Sequence, residues 1–243
     1  MRALSASQLL DIWERGQAAL PYERALHILS PAIPELPPKA LALLSIGDRD
    51  SKLLLLREWV FGHELLMMTA CPSCFQTLEL VVPTSSLRAP MKPVDDPGHL
   101  MQLDGYTVRI RPLNSEDIIS CAGLDADQCR RMLLTGCVTE ASFEGNVLSA
   151  QMLPECVLQE IEVRIADIDP QADIRLNLVC PECNKTWMQV FDIVSYFWME
   201  IDAWAHRILL EVSVLARAFG WRESEILELS PARRQIYLAM AQA

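Results

Sequence analysis

The residues best suited to chemistry are four of the eight cysteines. Cys71-Pro72-Ser73-Cys74 and Cys180-Pro181-Glu182-Cys183 share one pattern, Cys-Pro-x-Cys. Two thiolates at that spacing reach one cation because the chain turns tightly between them. Four sulfurs at about 2.3 Å complete a tetrahedron around a zinc ion and leave no position for water or substrate. The implied chemistry is structural zinc binding by Cys71, Cys74, Cys180 and Cys183, which contributes to folding and not to catalysis. Unrelated buried thiols or a redox pair are the competing readings, and the near-identity of the two knuckles weighs against both. Cys121, Cys129, Cys137 and Cys156 lie at no ligand spacing and read as small apolar core residues.

No second constellation competes. The four histidines, His27, His63, His99 and His206, are scattered, and His206 reads as a half-buried packing residue. There is no GxSxG, GxGxxG, HExxH or phosphate-cradling glycine loop, so an enzyme is not expected. Glu58, Glu64 and Glu79 near the first knuckle read as surface charge.

The formal net charge of −11 opposes recruitment of a phosphate backbone, so no nucleic-acid partner is expected. A zinc-ribbon nucleic-acid or transcription module is the alternative that the ribbon itself would suit. No apolar run reaches the roughly 18 residues of a spanning helix, and no secretory signal is visible. A cytoplasmic protein without membrane insertion is expected, where thiols stay reduced and favour metal over disulfides. With 51% apolar and 22% charged residues, the chain can fill a sizeable core.

The elements that must position the knuckles follow from periodicity. Ser5 with Gln8 forms a capping-box signal ahead of Leu9, Leu10, Ile12 and Trp13. A second helix begins near Pro21. Ser30 to Pro38 is proline-rich and expected to be extended or turning. Asp48 is the expected cap of a third helix, Asp50 to Phe61, ended by Gly62. Strands flank the first knuckle: Leu65 to Ala70 enters it, and Leu78, Leu80 and Val82 alternate against Thr77 and Glu79 on leaving. Pro83 to Gly98 reads as a loop. Leu100 to Arg111 reads as a hairpin around Asp104-Gly105. Asn114, with Asp117 three residues on, caps a short helix; helices at about Ala126 to Leu134 and Pro154 to Ile168 are separated by Thr139 to Asn146. Ile174, Leu176 and Leu178 enter the second knuckle and Thr186 to Phe191 leaves it. Phe197, Ile201, Trp204, Ile208, Val212, Leu215 and Phe219 then form one apolar stripe on a long helix ended by Gly220. Ser230-Pro231 opens a last helix to Ala241.

The expected fold is α+β: mostly helical, with a four-cysteine zinc-ribbon-like β element split by a long α/β insertion, and a long C-terminal amphipathic helix. The expected divisions are an N-terminal helical segment (1–62), a first ribbon half (63–83), an inserted hairpin and helical subdomain (84–172), a second ribbon half (173–191) and C-terminal helices (192–243). Closing the roughly 105-residue gap between the knuckles costs only a few kcal/mol, because loop entropy grows logarithmically. A structural zinc supplies roughly 10 or more. The last segment is rich in aromatic residues, and Tyr196, Trp198, Trp221 and Tyr237 are the candidates for a protein-docking surface.

Several runs together resemble a known family. They are Gly47-Asp48-Arg49-Asp50, Asp169-Pro170-Gln171-Ala172 before the second knuckle, Phe191-Asp192-Ile193 after it, Gly220-Trp221-Arg222-Glu223, and Arg233 to Leu238. They resemble the zinc-knuckle proteins encoded beside baseplate genes in contractile phage tails and phage-tail-like extracellular injection systems, related in type to T-even baseplate hub assembly proteins. That resemblance implies an assembly chaperone or minor component of the baseplate hub. It also implies hub, spike or tail-tube proteins as partners, possible incorporation into the tail-like particle, and no catalytic residues.

Overall fold

The computed structural model describes residues 1–89 and 99–241, and the fold is mixed α+β. The described residues form two compact units, one of residues 1–36 and 193–243 taken together, the other of residues 37–192.

The chain opens in the first unit with α1 (Ala6–Gly16) and α2 (Pro21–Ala32). The capping box at Ser5 is present, with both the Ser5 hydroxyl and the Gln8 side chain engaged. Helix α2 continues through Ser30 and Pro31, where an extended chain was expected. Pro31 sits in the last turn, so its missing N–H removes one helical bond and does not end the helix earlier.

The second unit begins with α3 (Pro38–Ala42), a turn that the prolines initiate instead of forbidding. Helix α4 (Ile46–Phe61) starts earlier than expected. Its cap is Ser45, whose hydroxyl accepts from the Asp48 N–H at 3.0 Å, so Asp48 is a first-turn residue and not the cap. Two antiparallel strands, β1 (Glu64–Ala70) and β2 (Thr77–Pro83), form the first knuckle hairpin. Leu65 and Leu78 point inward, while Leu66, Met68 and Val81 face outward and are exposed. A single 3-10 turn, Thr84–Leu87, occupies the start of the expected Pro83 to Gly98 loop; residues 90–98 lie outside the described part.

Between the two knuckle hairpins, and within this same unit, lies a four-stranded antiparallel sheet, β3 (His99–Leu103), β4 (Tyr106–Ile110), β5 (Val138–Phe143) and β6 (Asn146–Val147), in that spatial order. The Asp104-Gly105 turn has positive φ at both residues, 47° and 84°, as its residue types dictate. Strands β5 and β6, joined by Glu144-Gly145, replace the irregular stretch expected between two helices. Helices α5 (Ser115–Ser120, with the Asn114–Asp117 capping box), α6 (Ala126–Gly136) and α7 (Glu155–Ile168) complete this stretch. Val108, Ile110, Leu134, Val157, Leu158 and Ile161 form its core. Strands β7 (Ile174–Val179) and β8 (Thr186–Phe191) make the second knuckle hairpin.

The chain then returns to the first unit with α8 (Ile193–Phe219), α9 (Glu223–Leu227) and α10 (Pro231–Ala241). The expected stripe is the buried face of α8 at Phe197, Ile201, Ile208, Val212 and Leu215, whereas Phe219 is 38% exposed. Gly220 ends the helix in the left-handed conformation, φ 69°. Leu10 packs with Ala205 and Ile208; Ile226 and Leu238 pack with Val212 and Leu215. The part-buried Arg234–Glu211 pair, at 2.8 Å, ties α10 to α8.

Candidate metal centre

Each knuckle is a strand end folded back by the same two backbone bonds. In the first, the Cys71 N–H donates to the Gln76 carbonyl at 2.9 Å and the Phe75 N–H to the Cys71 carbonyl at 3.0 Å. In the second, the Cys180 N–H donates to Lys185 and the Asn184 N–H to Cys180, both at 2.9 Å. The residue after each second cysteine takes the same left-handed conformation, φ 60° at Phe75 and 57° at Asn184. Asparagine adopts that region readily, and phenylalanine does so at a cost. Phe75 is 79% exposed there.

The two copies bring all four sulfurs within 4.8 Å of one another. Cys71 Sγ lies 3.6 Å from Cys183 Sγ, and Cys74 Sγ lies 3.6 Å from Cys180 Sγ. A tetrahedron with metal–sulfur bonds of about 2.3 Å has edges of about 3.8 Å, whereas a disulfide needs about 2.05 Å. The spacing fits four thiolates around one ion and fits no disulfide. Cys71 and Cys180 are buried, and Cys74 and Cys183 are exposed. N–H groups of the turn point at the sulfur of Cys71, Ser73 from 3.4 Å. The Cys74 N–H contributes most, and together these donors bring the Cys71 thiol down to about 6. The Gln76 N–H favours the Cys74 thiolate, yet desolvation and the three neighbouring sulfurs push that thiol up to about 12. Four sulfurs held this closely can share one cation, which would favour the thiolate form of each. An ion held by all four sulfurs would have no open position for water or substrate.

The other cysteines divide. Cys137 is buried, and burial pushes its thiol up to about 12. Cys121 and Cys129 are half-buried and Cys156 is exposed, so the expected core placement holds for Cys137 alone. His206 is exposed, with its ring edge-on to Trp13 at 5.5 Å, and is not the half-buried packing residue expected.

Residues 27–198 match the family described as T4 bacteriophage base plate protein. The chain belongs to that family. No curated protein and no solved structure matches it. The matched span of this base plate protein contains both knuckles and all of the chain between them, and it ends before Gly220-Trp221-Arg222-Glu223. A structural role in the base plate follows from membership. Among the described residues no helix is long and apolar enough to cross a membrane.

The four aromatic candidates fall in different places. Trp198 is 9% exposed and packs its six-membered ring over Gly16, with the Arg24 guanidinium 4.5 Å from the ring centre. Packing inside its own unit, not solvent exposure, defines it, which corrects the reading of Trp198 as a free anchor. Tyr196 is half-buried. Trp221 and Tyr237 join Phe219 in one cluster, Trp221 stacked on Phe219 at 4.8 Å and edge-on to Tyr237 at 4.8 Å. Sequence reasoning missed Phe75; its signal was a large apolar residue at the knuckle position where the second copy has Asn184.

Proposed function

We propose that this base plate protein is a non-enzymatic assembly chaperone or minor component of the baseplate hub in a contractile phage tail or related injection system. In this reading a structural zinc, bound by Cys71, Cys74, Cys180 and Cys183, fixes the surface that hub, spike or tail-tube proteins meet. The observation that carries it is the conjunction of the family match with a closed four-sulfur site. A site of that kind shapes a protein and turns nothing over.

Two surfaces support a partner-binding role. One is the first knuckle hairpin, where Leu66 (74% exposed), Met68 (72%) and Val81 (59%) share one face and Phe75 stands at the tip. An aromatic ring kept exposed in a costly backbone conformation is a reasonable price for a contact. The other is the Phe219, Trp221 and Tyr237 cluster, with Tyr196 on the same long helix as Phe219. The nucleic-acid alternative has the net charge of −11 against it.

The test is reconstitution with individually purified hub, spike and tube proteins from the same gene cluster, together with metal analysis. One zinc per chain and a stable complex with at least one of these proteins are expected. Metal-free, folded protein that binds none of them would overturn the proposal.

A further inference from the structure

The runs Gly47 to Asp50 and Asp169 to Ala172 have no part in the metal site, yet the fold brings them together. Helix α7 ends at Ile168, and β7 begins at Ile174. The short linker between them is tied down twice. Asp169 accepts the Gly47 N–H at 2.9 Å, in the first turn of α4. The fit is close enough that a Cβ on Gly47 would lie 2.0 Å from the Asp169 carboxylate and 3.1 Å from the Ala172 backbone nitrogen. Gln171, 9% exposed, engages both ends of its amide with the chain that leaves the first knuckle hairpin. Its Nε2 donates to the Leu87 carbonyl at 3.0 Å, and its Oε1 accepts the Ala89 N–H at 2.6 Å.

The consequence is geometric. Leu87 lies four residues beyond the end of β2, and Gln171 lies three before the start of β7. Strands of six and seven residues then run from this base to the sulfurs, a span of about 20 Å. The two hairpins are therefore joined at their base by one buried amide and at their tips by the four cysteines. A rod pinned at its base leaves its tip little room to wander, and the base pin contains no metal.

We propose that Gln171 is a positioning residue of the metal centre, supported by Asp169, and that it presents the two knuckles to each other before any ion binds. Zinc then loads onto an assembled site and does not have to assemble it. The inference deepens the structural-zinc reading and rests on it for the identity of the ion alone.

The experiment is disulfide trapping in the metal-free full-length protein, with diamide as oxidant and peptide mapping by mass spectrometry. The wild type should form the inter-knuckle links Cys71–Cys183 and Cys74–Cys180 in preference to links within a knuckle. Gln171→Leu should lower the inter-knuckle share roughly tenfold and weaken zinc binding, in chelator competition, by a similar factor. Gln171→Glu keeps the acceptor for Ala89 and should fall between. Predominantly intra-knuckle links in the wild type, or an unchanged ratio in folded Gln171→Leu, would overturn the inference. The expected trapping pattern in a protein that takes up no zinc would leave the base clasp standing and remove the zinc reading.

Discussion

At the residue scale, the proposal that the two knuckles share one ion makes a ligand in one report on the other. Cys180→Ser removes a sulfur 3.6 Å from Cys74. Zinc content is expected to fall below a tenth of the wild-type value, and limited proteolysis should open the first knuckle near Cys71. Zinc retained at the wild-type level would mean that Cys180 does not hold the ion. A second residue ties stability to pH. Burial raises the Asp50 carboxyl to about 6, with the Arg49 guanidinium at 2.7 Å only partly opposing it. The unfolded chain releases that proton near pH 4. Between these values the folded protein holds more protons than the unfolded one, so the contribution present below about pH 4 is lost as pH rises through about 6. Denaturant melts should show the wild type losing a few kcal/mol at most, relative to Asp50→Asn, across that window. Parallel curves for the two proteins would show that Asp50 is not the group responsible.

At the element scale, Phe75 and Asn184 offer a matched pair. Phe75→Asn gives the first knuckle the residue that the second already has at the same backbone angle. Thermal melts should show a gain of roughly 0.5–1 kcal/mol with zinc content unchanged. A loss of stability instead would mean that the exposed ring packs on something. The α1–α8 contact is less tolerant: a Cβ on Gly16 would sit 2.2 Å from the Trp198 ring. Gly16→Ala should cost about 1–3 kcal/mol by urea denaturation.

Which elements were legible follows the same logic. The hairpins, the Asp104-Gly105 turn, the Asn114 cap and the long helix could be read because period, turn chemistry and capping agreed. Strands β5 and β6 could not, since only Val138 and Ala141 of β5 face inward and a bulge at Arg109 and Ile110 breaks the alternation. Ser45 was overlooked as a cap because Asp48, three residues on, carries the same capping chemistry. The clustering of the four cysteines was legible from spacing alone, whereas the burial of Trp198 depends on Gly16, 182 residues away, which no local pattern reveals.

At the scale of the whole molecule, the four-cysteine cluster proposed to hold zinc belongs to one unit and the aromatic C-terminal helices to the other. Removing the ion should therefore act on one unit first. Hydrogen exchange after chelation is expected to rise in β1, β2, β7 and β8 while the buried face of α8 stays protected. Uniform deprotection would show that the units unfold together.

The first unit is assembled from residues 1–36 and 193–243, with all of the second unit encoded between them. A ribosome makes the chain in order, so α1 and α2 emerge before α8 and must wait for it while all of the second unit is being translated. The knuckle-bearing unit can mature during that interval, clasp included. Until α8 is made, Leu10 of α1 lacks Ala205 and Ile208, the buried residues it packs against in the finished unit.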